Sequence, residues 1–104
     1  MKYFMIKYTF KNGAPEDWHN EVAGFIAALD SEPALQNKIS YRCMKVKNSS
    51  DYLHLAGAAD DAAIATLQSQ DFFKRYNART REVSGGSVEV VPLEIIAQTA
   101  ARAD

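Results

Sequence analysis

A chain of 104 residues, 47% hydrophobic and 24% charged, is the size and composition of one folded domain spanning 1–104, with neither the profile of a disordered chain nor the length for two domains. Twelve basic residues against thirteen acidic ones leave a net charge of −1, so there is no long-range attraction to phosphate backbones and no nucleic-acid partner is expected. Cys43 is the single cysteine, which excludes an internal disulfide. Lys7 cuts the N-terminal apolar run short of a signal core. No segment reaches the roughly 20 apolar residues of a membrane helix. The expectation is a cytoplasmic protein with no membrane partner.

Residues 2 to 10 alternate with period two and predict a strand. Phe4, Ile6, Tyr8 and Phe10 point one way, and Tyr3, Met5, Lys7 and Thr9 the other. Asn12-Gly13 turns the chain, and Pro15 can open a helix because the first turn needs no N–H there. Trp18, Val22, Phe25, Ile26 and Leu29 form an apolar stripe at helical spacing over 15 to 30, and Pro33 ends it. A second strand covers 38 to 47, with Ile39, Tyr41 and Cys43 on one face and Arg42, Met44 and Val46 on the other. The turn formers 48 to 51 return the chain into a third strand, Tyr52 to Ala59. There Leu53 and Leu55 share a face opposite Tyr52 and His54. Asp60 and Asp61 are placed to cap a helix carrying Ile64 and Leu67, which Ser69-Gln70-Asp71 interrupts or re-caps before Phe72, Phe73 and Tyr76. After Gly85-Gly86, Ser87 to Ile96 predicts a fourth strand whose Pro92 demands an edge position, and Ala97 to Asp104 reads as a frayed tail.

The order β-α-β-β-α-β predicts an α+β fold of the ferredoxin-like type. Both helical segments lie on one face of a four-stranded antiparallel sheet, with the first and third strands central. Helices on one side leave the other side bare. If Phe4, Ile6, Leu53 and Leu55 face the helices, the bare face holds Tyr3, Met5, Tyr52, His54 and part of the fourth strand. Covering ~600 Å2 of it per subunit at about 25 cal/mol/Å2 gives on the order of 15 kcal/mol of gross driving force. Association entropy removes part of that. A homodimer pairing sheet to sheet is the expected assembly.

His54 is a candidate base near neutral pH, set against a plain role as a satisfied histidine on the dimer-facing side. His19 reads as a helix-surface residue, and two histidines with no cysteine or carboxylate at ligand spacing make no metal site. Tyr76 can donate a hydrogen bond to an oxygenated ring or simply pack its own ring in the core. Capping accounts for Asp60-Asp61 better than paired catalytic acids do, and a solvated helix face accounts for Lys74, Arg75, Arg79 and Arg81. Cys43 reads as a buried, inert thiol. No glycine-rich phosphate loop and no Gly-x-Ser-x-Gly elbow is present.

The stretch Leu67-Gln68-Ser69-Gln70-Asp71-Phe72-Phe73-Lys74-Arg75-Tyr76 resembles the segment that joins two short helices in the antibiotic biosynthesis monooxygenase (ABM) family. Val88-Glu89-Val90-Val91-Pro92-Leu93-Glu94 resembles that family's last strand, and the similarity spans roughly residues 2 to 96. The resemblance implies a dimeric α/β barrel. It also implies a monooxygenase, needing no cofactor or metal, that acts on a small aromatic or polyketide-type molecule. The substrate pocket would lie between sheet and helices, lined by Tyr8, Phe10, Trp18, Val22 and Phe72. Tyr76 is its first catalytic candidate, and His54, on the far face of the sheet, acts only indirectly. The sequence departs from the haem-degrading branch, since its first strand has no asparagine and residues 60 to 82 contain neither Trp nor His. A non-catalytic homodimer that binds a small apolar ligand or serves a structural role is the alternative for the same fold.

Overall fold

Among the described residues seven elements follow in order: β1 (Lys2–Thr9), α1 (Pro15–Ser31), β2 (Ile39–Lys45), β3 (Asp51–Ala58), α2 (Asp61–Ser69), α3 (Asp71–Val83) and β4 (Glu89–Leu93). The structure is a computed structural model and describes residues 1–100. Pro15 occupies the first turn of α1, where its missing N–H costs nothing. The second helical region divides at Gln70, whose extended backbone (φ −76°, ψ 135°) breaks the helical hydrogen-bond ladder. Asp60 caps α2, its carboxylate accepting from the Ala63 N–H at 2.8 Å.

The strands form one antiparallel sheet in the order β2-β3-β1-β4, so β1 and β3 are central as the topology predicts. At the edge, β4 pairs with β1 alone, which places Pro92 opposite Phe4 where a missing N–H is tolerated. The strand is shorter than the ten residues from Ser87 to Ile96 suggest. Pairing stops at Leu93, one residue beyond the proline, and residues 94 to 100 carry no regular structure. The rest of the expected tail, 101 to 104, lies outside the described residues. Among the described residues, no helix is long and apolar enough to cross a membrane.

Register decides which side chains meet the helices, and here the expectation for β3 is reversed. Ile6 pairs with His54 and Tyr8 with Tyr52, whereas Met5 pairs with Leu55 and Lys7 with Leu53. Residues directly opposite share a face. Tyr52 and His54 therefore point toward the helices with Phe4, Ile6 and Tyr8, and the two leucines stand on the bare face with Tyr3 and Met5. Side-chain hydrophobicity favours leucine inside. The polar tips of Tyr8, Tyr52 and His54 nevertheless find hydrogen-bond partners between sheet and helices, which removes the penalty of burying them.

Two clusters fill the space between sheet and helices. Tyr8, Trp18, Val22, Tyr52 and Val83 make one; Phe25, Leu29 and Leu35 make the other. Tyr76 packs against both, its ring stacked on Phe25 (centroids 3.8 Å apart, 2° between planes) and facing Trp18 at 5.6 Å. A two-pronged ion pair between Arg79 of α3 and Glu21 of α1, at 2.8 and 2.9 Å, braces the helices near the surface. The Arg79 guanidinium holds the Glu21 carboxyl below its ordinary range.

Candidate active site

An apolar cavity of about 290 Å3 lies between the sheet and the helices. It exists because β3 presents only Ala56 and Ala58 toward the helices at this end, side chains too small to reach them. Phe4 and Ile6 of β1, Ile39 of β2, Phe25 of α1, Ile64 and Leu67 of α2, and Phe73 of α3 supply most of its wall. Val88 and Val90 close the side next to β4. The polar exceptions are Gln68, Asn77, Thr80 and the two phenols Tyr41 and Tyr76.

Those phenols belong to a hydrogen-bonded chain running back into the core. The Tyr41 and Tyr76 hydroxyls are 2.9 Å apart. Both reach Nδ1 of His54, Tyr76 at 3.2 Å and Tyr41 through a shorter contact. On the other side of the imidazole, Nε2 lies 2.7 Å from the Tyr8 hydroxyl and 3.3 Å from Cys43 Sγ. The Trp18 indole N–H donates to the Tyr8 oxygen at 2.8 Å. His54 is completely buried and Trp18 is 1% exposed, so the inner part of the chain is sealed from solvent.

Burial sets the protonation of every member. It pushes the His54 pKa down to about 4, leaving the imidazole neutral at physiological pH. It pushes the Tyr8, Tyr41 and Tyr76 phenols well above the ordinary tyrosine value and raises the Cys43 thiol to about 11. The chain is thus uncharged near pH 7, with hydroxyl hydrogens at its cavity end. Its imidazole is a weak base.

No family model matches the sequence, and no curated protein does. Solved structures do match the fold. SnoaB, a cofactor-independent oxygenase from Streptomyces nogalater, is 18% identical, and the match covers 97% of each chain with a TM-score of 0.74. A structure described as an antibiotic biosynthesis monooxygenase is 13% identical, covering 93% of this chain and 100% of its own at a TM-score of 0.75. Rv0793 from Mycobacterium tuberculosis is 12% identical, covering 95% and 98%, also at 0.75. The chain shares the fold of these structures.

Within this fold, the expected site residues separate. Tyr76 lines the cavity. Tyr8, Trp18 and Val22, buried at 6%, 1% and 4% exposure, instead fill the neighbouring cluster, with Phe10 packed beside them. Phe72 packs against Phe25 in the second cluster and does not reach the cavity. His54 does not sit on the far face of the sheet but directly behind the cavity wall, bonded to Tyr41 and Tyr76. Tyr41 and Phe25 are among the wall residues that sequence reasoning left out. Both were visible on the correct faces, Tyr41 alternating with Ile39 and Cys43, Phe25 in the stripe of α1. The small residues Ala56 and Ala58 on the helix-facing side of β3, which open the cavity, were the missing signal. His19 is exposed on α1 as expected, and it also hydrogen-bonds the Tyr52 hydroxyl at 2.7 Å with its ring tilted against that tyrosine.

Proposed function

We propose that this protein is a cofactor-independent monooxygenase of small aromatic or polyketide-type molecules, working as a homodimer, with Tyr76 as the residue that meets the substrate oxygen. The observation that carries the reading is an apolar pocket between sheet and helices whose wall bears two phenols backed by a buried imidazole. A volume of about 290 Å3 sits at the small end of ligand pockets, which run from roughly 300 to 1,000 Å3. That size favours one or two fused rings over a larger polycycle.

In such a reaction an activated ring methylene takes up O2, one oxygen atom remaining as a carbonyl and the other leaving as water with the two methylene hydrogens. The substrate supplies all the electrons. The protein's part is to hold the ring among Phe25, Phe73 and the β3 alanines, keep water away, and stabilise the ring's oxygen by hydrogen bonding as its carbon acid ionises. Stacking between Phe25 and Trp18 fixes the Tyr76 ring, so its hydroxyl is already oriented.

A second reading has its own support. His54 is a weak base and the cavity wall carries no carboxylate, which suits a dimer that binds a small ring compound without turning it over. Oxygen consumption with one- and two-ring hydroxylated substrates decides between them. For the oxygenase, Tyr76→Phe should lower turnover about 10- to 1,000-fold, the range of one orienting or proton-handling interaction. Tight binding with no oxygen uptake by the wild type would favour the binding protein. Equal turnover by wild type and Tyr76→Phe would remove Tyr76 from the mechanism.

A further inference from the structure

The indole N–H of Trp18 can only donate, and it donates to the Tyr8 oxygen. The hydroxyl hydrogen of Tyr8 then needs an acceptor of its own. Among the described residues, the only other group hydrogen-bonded to that hydroxyl is Nε2 of His54, at 2.7 Å. Nε2 must therefore offer its lone pair, and a neutral imidazole with Nε2 bare carries its hydrogen on Nδ1. That N–H points at Tyr41 and Tyr76. Tyr41 makes the shorter contact and receives it, and the Tyr41 hydroxyl passes its own hydrogen to Tyr76, 2.9 Å away. Tyr8, His54 and Tyr41 have each now received one hydrogen and given one, and the hydrogen of Tyr76 is left over at the cavity wall. Exchanging the two tyrosines moves the surplus hydrogen to Tyr41, which lines the same cavity. Running the chain backwards would instead strand the Tyr8 hydrogen, 6% exposed and with no acceptor, a costly arrangement. Cys43, 3.3 Å from Nε2, is a weak partner and does not change the count.

We infer that Trp18 and Tyr8 act as positioning residues that polarise the hydroxyl chain outward, so the cavity selects ring compounds presenting a carbonyl or oxyanion oxygen that accepts. The ligand part of this rests on the proposed function, in which the cavity is the substrate site. A ligand that can only donate meets a Tyr76 oxygen already accepting from Tyr41. The enolate or phenolate form of a substrate is accordingly held in preference to its neutral form.

Two measurements test this. In the wild type, 15N NMR of histidine-labelled protein should show His54 with Nδ1 protonated and Nε2 bare. A protonated Nε2 overturns the inference and leaves the oxygenase reading standing. Binding is then compared by NMR titration for 1-indanone, which has one acceptor and no donor, and indane, the same rings without oxygen. The wild type should hold 1-indanone about five- to tenfold tighter, the ratio one net hydrogen bond supplies. Tyr8→Phe removes the donor to Nε2, so the imidazole should reverse, its Nδ1 accepting from Tyr41, and the indanone preference should fall to near unity. Tyr8 does not line the cavity. A purely structural role would weaken both probes alike and leave the ratio unchanged, which overturns the inference. Should Tyr8→Phe fail to fold, Trp18→Phe is the second variant, with a smaller ratio than wild type as the expected result and an unchanged one counting against the idea. If neither probe binds the wild type, the cavity is not a ligand site, and both the ligand preference and the proposed function fall.

Discussion

His54 is completely buried, and its displaced pKa has a consequence for stability as well as for chemistry. An unfolded histidine titrates near 6.5, whereas burial holds the folded one to about 4. Between those two values the unfolded chain binds more protons than the folded one, so acid favours unfolding. The contribution is fully present above about pH 6.5 and is lost as the pH falls toward about 4, amounting to about 3 kcal/mol in all. Urea unfolding followed from about pH 7.5 down to about pH 4.5 should show this decline, and His54→Gln should flatten it. An undiminished slope in His54→Gln would place the titrating group elsewhere. The same burial keeps Cys43, raised to about 11, in its unreactive thiol form at neutral pH.

Among the elements, α2 and β3 together make the cavity. The helix starts where Asp60 accepts from the Ala63 N–H, immediately after β3 ends at Ala58. Its Ile64 and Leu67 face the space above Ala56 and Ala58. Asp60→Ala removes the cap and should cost about 1 kcal/mol of stability, the usual value for such a cap. Chemical denaturation of the two proteins measures it directly, and a difference below about 0.3 kcal/mol would mean that packing alone holds the start of α2. The Arg79–Glu21 bridge between α3 and α1 weighs less than its geometry suggests. Both side chains are more than a third exposed, and solvent screens such pairs to roughly 1 kcal/mol or below.

For the molecule as a whole, the uncovered sheet face is the outstanding feature. Tyr3, Met5, Leu53, Leu55, Val91 and Leu93 lie on it by register. A shallow depression of about 600 Å3 runs across part of it, against Met5, Lys7 and Leu53. Pairing with a second copy would bury this surface without requiring any change in the helices. On the proposed homodimer, light scattering at micromolar concentration should give twice the 11.5 kDa of one chain. Leu55→Lys, which puts a charge in the middle of the face, should return the monomer mass. A wild type that is already monomeric would show that this face tolerates water.

The sequence by itself determined the order of elements, the central place of β1 and β3, the edge position of β4 and the break near Gln70. Each follows from a local cause: a period of two or 3.6, a proline lacking its N–H, a cap beside a helix start. The resemblance in residues 67 to 76 and 88 to 94 pointed to the fold that the solved structures share. It also singled out Tyr76, which does reach the cavity. Tertiary structure alone decided which side of β3 is inside. Alternation separates Leu53 and Leu55 from Tyr52 and His54 but does not label either face as buried. The label comes from pairing Ile6 with His54 across β1, a contact between residues 48 positions apart. The cavity was equally out of reach, because it depends on small side chains of β3 failing to meet α2, a matching of sizes that no single period records. So Tyr8 and Trp18, placed by spacing around a pocket, became the sealed end of a hydrogen-bonded chain whose open end is Tyr76.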